Sequence, residues 1–233
     1  MAKYPRYAIY FTTARGDVLD RFGAELLGYD AWTGSDLSFP SDVTGSEPDW
    51  RELTEDPRKY GFHATLKAPF ALAEGKTEAE LMAACAAFAE TPRSIPTIAP
   101  VVDSISSFIA VIPKERSREL EQLAADCVIA FDDFRAPLTA DDRARRKPER
   151  LTERQRDYLD RWGYPYVMEE FRFHMTLTGR IESPRRERVL SMLKQRFSAI
   201  GLERLAIDAI AVFRQDDGQS RFHIVERWPL RAE

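Results

Sequence analysis

The stretch Tyr60-Gly61-Phe62-His63-Ala64-Thr65-Leu66-Lys67-Ala68-Pro69-Phe70 decides how this chain folds. Its center returns 111 residues later in Phe171-Arg172-Phe173-His174-Met175-Thr176-Leu177-Thr178-Gly179-Arg180. The 233 residues include three histidines, and two of them open a His-x-Thr-Leu string. Ordinary residue usage would give that pair by chance on the order of once in ten thousand such chains. In extended backbone, side chains alternate between two faces. His63, Thr65 and Lys67 then share one face, and Phe62, Ala64, Leu66 and Ala68 the other. The second copy sorts Arg172, His174, Thr176, Thr178 and Arg180 from Phe173, Met175, Leu177 and Gly179. Each copy therefore reads as a strand with one apolar face and one row of imidazole, hydroxyl and cationic groups.

Outward from these strings, each half repeats one order of elements: strand, helix, histidine strand, helix, strand. The first half has a β-type run at Arg6–Phe11 and a helical stripe of Val18, Phe22, Leu26 and Leu27. Its histidine strand covers Tyr60 to Phe70, an alanine-rich helix Thr77 to Ala89, and a closing strand Thr97 to Ser104. The second half has a strand at Phe108–Pro113 and a helix from Ser117 to Ala130 with Leu120, Leu123, Ala124 and Val128 inward. Its histidine strand spans Glu170 to Ile181, followed by a helix over Arg185–Ile200 and strands at Leu205–Phe213 and Arg221–Trp228. Residues 30–59, rich in Gly, Pro, Ser and Asp, lack periodicity and read as a long loop, either disordered or a functional cover.

Composition sets the outer bounds. The chain is 44% hydrophobic and 31% charged, which fits an ordinary globular protein. No apolar run approaches a membrane span, and Met1-Ala2-Lys3-Tyr4-Pro5-Arg6-Tyr7 lacks the apolar core of a leader, so a cytoplasmic protein with no membrane partner is expected. Cys85 and Cys127 read as small buried hydrophobes of a reducing compartment. A net charge of −4 supplies no general pull toward nucleic acid. Arg143 to Arg161 nevertheless holds eight Lys/Arg against four Asp/Glu, either an exposed helix of mixed charge or a basic flap that gathers a phosphorylated substrate.

The residue types in the two rows suit phosphoryl transfer. One imidazole can deprotonate the attacking oxygen and the other protonate the leaving one. Thr65 and Thr176 can donate to the non-bridging oxygens, and Lys67, Arg172 and Arg180 can neutralise their charge. Tyr60 would cap or pack the cleft, while His223, with no Thr two residues on, reads as structural. This scheme requires neither metal nor cofactor, and no metal-ligand motif or Gly-rich phosphate loop is present.

Paired His-x-Thr-x strings resemble the two-histidine (2H) phosphoesterase superfamily. The two long strings above, with Arg6-Tyr7-Ala8-Ile9-Tyr10, resemble one branch of it, a family of uncharacterised proteins associated with bacterial phosphonate-utilisation gene clusters. The resemblance implies an α+β, bilobal duplicated fold, two antiparallel sheets lining a central cleft with helices outside. The lobes would divide near residue 105, with an insertion over about 132–165 in the second. It implies His63 and His174 as the catalytic pair, Thr65 and Thr176 as phosphate ligands, and a role in phosphonate metabolism on a ribose- or nucleotide-based phosphate ester. The leading expectation is a metal-independent phosphoesterase acting on a small cyclic phosphodiester. The rivals are RNA 2′,3′-cyclic phosphate processing or end-joining, and a nucleotide- or phosphonate-binding module without turnover. Neither the acid and base assignment nor the oligomeric state is legible at this level.

Overall fold

A computed structural model describes residues 3–233. Met1 and Ala2, the start of the stretch read for a leader, lie outside the described residues. The chain runs β1 (Arg6–Phe11), α1 (Val18–Leu27), β2 (Tyr29–Asp30), β3 (Ser35–Asp36), α2 (Ser41–Ser46), α3 (Trp50–Leu53), α4 (Glu55–Arg58) and β4 (Ala64–Ala71). It continues through α5 (Glu78–Glu90), β5 (Thr97–Ile98), β6 (Pro100–Ile105), β7 (Phe108–Pro113), α6 (Arg118–Ala130), α7 (Ala140–Arg145) and α8 (Glu153–Trp162). The last elements are β8 (Met175–Thr176), α9 (Arg185–Ala199), β9 (Leu205–Ala206), β10 (Ala209–Gln215) and β11 (His223–Pro229). Among these, no helix is long and apolar enough to cross a membrane.

The fold is α+β with antiparallel pairing, as expected, but the strands of the two halves join into one sheet. Its order is β11-β10-β1-β4-β8-β7-β6. The seam is the β4–β8 contact, where Ala64 pairs with Met175. The closing strands are also exchanged. β6, from the first half, pairs with β7, and β10 and β11, from the second, extend the sheet beside β1. The hairpin explains the first exchange: Ile105 pairs with Phe108 across the two residues Ser106-Ser107, with Ser106 at φ 55° as tight hairpin turns require.

Apolar periodicity placed most helices well. In α6 the expected inward residues Leu120, Leu123, Ala124 and Val128 are all buried, and Ser117 caps the helix by accepting from Leu120 N. Thr77 opens α5 with a reciprocal capping box to Glu80. One side of the sheet and its helices enclose the larger core, from Ile9 and Phe11 through Met175 and Leu177 to Val189 and Leu193. Cys85 and Cys127 are free and buried there, and burial pushes the Cys85 thiol up to about 12.

Residues 30–59 are not a structureless loop. They form β2, β3 and three short helices, with Trp50 wholly buried and donating to Leu26 O at 2.8 Å. Acids of this segment clamp α9: Glu47 accepts from Arg185 and Arg188, Asp49 from Arg185, and Asp42 from Arg196. The missing periodicity that suggested a loop reflects short helices anchored by charge. The second histidine strand is likewise shorter than expected. Leu177 N and Thr178 N both donate to Ile109 O, and Gly179 N turns away to Leu53 O. That doubled acceptance is a bulge, and it ends regular pairing after Thr176.

Candidate active site

The β4–β8 register builds the site. Ala64 and Met175 face the core with no exposure, so the residues flanking them face the other way. One step along each antiparallel strand sets Thr65 opposite His174, and His63 opposite Thr176. The four residues from the two strings thus form a quartet with an approximate twofold axis through the Ala64–Met175 pair. Directly opposed residues have Cβ atoms about 4.5–5.5 Å apart, and diagonal neighbors lie about 7–8 Å apart with their Cβ atoms somewhat closer. The two imidazoles lie on a diagonal, a span suited to one tetrahedral phosphoryl group between them.

Both rings are held in the same way. His63 Nδ1 donates to Gly61 O at 2.9 Å, and His174 Nδ1 donates to Arg172 O at 2.7 Å. With Nδ1 so committed, Nε2 of each neutral ring carries the free lone pair. Gly61 makes its bond possible: at φ 73° it turns its carbonyl to the ring, and a Cβ there would stand 2.8 Å from that of Ala31. The His63 ring also stacks on Tyr10, centroids 3.7 Å apart, and Thr65 Oγ1 lies 3.4 Å from its Nε2. His174 is flanked more loosely by Phe108, at 5.7 Å.

Burial, the larger effect, pushes the His63 imidazole down to about 3, with His174 adding to it and the Gly61 carbonyl opposing. His174 is lowered as well, by burial and against the Arg172 carbonyl. This has a consequence for stability. The unfolded chain binds a proton at the ordinary imidazole value of 6.5, whereas folded His63 resists it until about 3. The contribution of neutral His63 is therefore complete above pH 6.5 and drains away as pH falls toward 3. A His63→Gln variant should lose less Tm than the parent between pH 7 and pH 4; equal losses would count against a buried, neutral His63.

The flanking residues divide. Arg172 and Arg180 line a cavity of about 520 Å³ together with Thr65, His174, Gln155 and the Ser106-Ser107 turn. Tyr60 stacks on Phe222 and stands 6.2 Å from the His63 ring. It lines an adjoining cavity of about 350 Å³. Lys67 departs from the row expected of it. Ile9 pairs with Lys67 and Tyr10 with Thr65, so Leu66 is an extra residue in β4 and the alternation breaks there. Lys67 is 3% exposed, donates to Val128 O in the last turn of α6 at 2.9 Å, and pairs with Asp132 at 3.0 Å. Thr178 is also withdrawn, accepting from Ile109 N and donating to Gly179 O. His223 sits outside the quartet, 3.9 Å from Asp216.

Three features escaped sequence reading. Tyr10 was legible only as part of a strand, since its place under His63 depends on register. A second aromatic cluster of Tyr10, Tyr29, Phe213 and Phe222 covers the cleft side of β1, β10 and β11. Arg6, Lys59, Arg146 and Tyr164 gather at the adjoining cavity, and the Arg143 to Arg161 stretch, one of whose readings was a basic flap, was the one signal toward it. Among the described residues, no three His, Cys, Asp or Glu side chains gather as a metal site.

A family described as "Protein of unknown function (DUF1045)" matches residues 65–223. Among curated proteins, the "Ribose 1,5-bisphosphate phosphokinase PhnN" of Janthinobacterium sp. (strain Marseille) is 34% identical over 238 residues, covering 98% of this chain and 51% of that protein. A protein of the same name from Laribacter hongkongensis (strain HLHK9) is 33% identical over 180 residues, 76% of this chain and 40% of its own length. The chain thus spans about half or less of the curated relatives it matches. Among solved structures, "Crystal structure of phosphoesterase" aligns at TM-score 0.41 and 13% identity, covering 98% of this chain and 99% of that one. "Crystal structure of E.coli LigT complexed with 3'-AMP" aligns at TM-score 0.37 and 12% identity, with the same coverage.

Proposed function

The chain belongs to the DUF1045 family, proteins of unknown function, and we propose that it is a metal-independent phosphoesterase of the two-histidine type. The observation that carries this reading is the Ala64–Met175 register, which opposes each motif histidine to the threonine of the other string. His63, stacked on Tyr10 and kept neutral by burial, acts as base on the attacking water. His174 carries the one added proton of the pair, on Nε2, and gives it to the leaving oxygen. An anionic phosphoryl group seated between the rings favors that protonated state. Thr65 and Thr176 donate to its non-bridging oxygens, and Arg172 and Arg180 balance its charge from the cavity wall.

The substrate class proposed is a small cyclic phosphodiester or related ester of a phosphorylated ribose, in phosphonate metabolism. Both curated relatives are named for a ribose 1,5-bisphosphate kinase. The kinase chemistry is not carried over. Gly75-Lys76-Thr77 has Phe70 where a phosphate-binding loop needs its first glycine. The test is a turnover screen of cyclic ribose phosphates, nucleotide cyclic phosphates and short RNA with 2′,3′-cyclic ends. It sets the parent against the His63→Ala/His174→Ala double variant, with and without EDTA. EDTA-resistant turnover of a small cyclic ester, lost in the double variant, is expected. Binding without product would support a binding module instead.

A further inference from the structure

We propose that the cavity beside the histidine pair binds a terminal phosphomonoester, so that the substrate carries two phosphorus groups. One is the reacting ester between His63 and His174, and the other is a dianion held by Arg6, Lys59 and Arg146. The proposal rests on the two-histidine reading and deepens it.

The charge balance points this way. This cavity adjoins the one lined by His174, sharing Ala68, Val128, Tyr164 and Val167 with it. Lys3, Arg6, Lys59 and Arg146 line it, and among the described residues none of the four forms an ion pair with a carboxylate. Its other cations are already spent: Lys67 and Arg135 on Asp132, and Arg145 on Asp142. Among the described residues, Asp142 is the single acid on the wall. Clustered cations without a counter-charge repel one another, and an anion relieves that cost.

The guanidinium groups are also set in place by neutral partners. Arg6 lies 5.4 Å from both the Tyr4 and Phe222 ring centroids, with Nε donating to Gln215 at 2.9 Å. Arg146 lies 4.9 Å from the Tyr164 centroid. Ring contacts orient a guanidinium while leaving N–H edges for a phosphate. The occupant is small. About 350 Å³, lined by Lys3 and Tyr4 near the start of the chain and by Thr139, Arg146 and Tyr164 of the insertion, suits a compact group rather than a continuing nucleic-acid strand.

The experiment compares kcat/KM for a ribose cyclic phosphate with and without a terminal phosphate group, and for a 2′,3′-cyclic-ended oligoribonucleotide. The terminal phosphate should raise kcat/KM by about tenfold or more, and Arg6→Gln or Arg146→Gln should each shrink that ratio about tenfold. A ratio near one, equal losses on both esters, or the oligoribonucleotide as best substrate would overturn the proposal. If neither ester turns over, the two-histidine reading fails, and calorimetry with ribose 5-phosphate decides the cavity separately. Binding to the parent that weakens in Arg146→Gln supports it, and equal or absent binding overturns it.

Discussion

Replacing either His63 or His174 with alanine is expected to lower kcat by about 10² to 10⁴, the usual worth of a positioned acid or base. Each ring keeps Nε2 for proton transfer because each Nδ1 is committed to a carbonyl two residues earlier in the chain, His63 Nε2 lying 3.4 Å from Thr65 Oγ1. Neither ring contributes to the larger core, so both variants should fold, with circular dichroism and Tm as controls. Acid and base act on one phosphoryl group, so the double variant should lose far less than the product of the single losses. His223→Ala is the internal comparison. Its ring lies beside Asp216, outside the quartet, and turnover should be unaffected.

The second large effect is on stability. Asp132→Ala should destabilise the protein by about 2–4 kcal/mol, somewhat below the range for a fully buried pair because Asp132 is 24% exposed. The loss comes from what is left behind. Lys67 is 3% exposed, and its carboxylate partner also holds Arg135 at 2.8 Å. Without Asp132 the ammonium retains the Val128 carbonyl but no counter-charge, and two cations face each other. At this chain length the Tm should fall by about 5–15 °C. Lys67→Met, which removes the buried charge along with its need for a partner, should cost much less and should retain turnover. A Lys67→Met protein that is stable but inactive would return Lys67 to the substrate-binding role its place in the string suggested.

That contrast shows what strand alternation can and cannot convey. Period-two sorting placed His63, Thr65, His174 and Thr176 on a common face because Ala64 and Met175, the paired residues between them, both point into the core. It failed one step further, at Lys67 and Thr178, where bulges beside Leu66 and Leu177 break the alternation. A bulge is a property of the pairing between strands, and a single strand's sequence does not display it. The same limit applies to the sheet as a whole. The helices α5, α6 and α9 were legible from their apolar stripes and caps. The exchange of closing strands depends instead on a two-residue hairpin at Ser106-Ser107 and on partners distant in the chain. Residues 30–59 misled because charge anchors their short helices to α9, and ion pairs leave no periodic trace. The basic stretch Arg143 to Arg161 was visible, but the cavity that Arg146 lines together with Arg6 and Lys59 came from folding.

The most direct test of the two-histidine mechanism is the pH dependence of kcat/KM for the parent and each single alanine variant on the best substrate of the screen. Both imidazoles are lowered in the free protein, so the parent profile should be a bell with its optimum on the acid side of 6.5. His63→Ala removes the base and should abolish the acidic limb, leaving activity that only falls as pH rises. His174→Ala removes the acid and should abolish the alkaline limb, leaving activity that only rises to a plateau. Complementary loss of the two limbs is the predicted result. A bell retained in either variant, or the same limb lost in both, would contradict the assignment of His63 and His174 as a base and acid acting across one phosphoryl group.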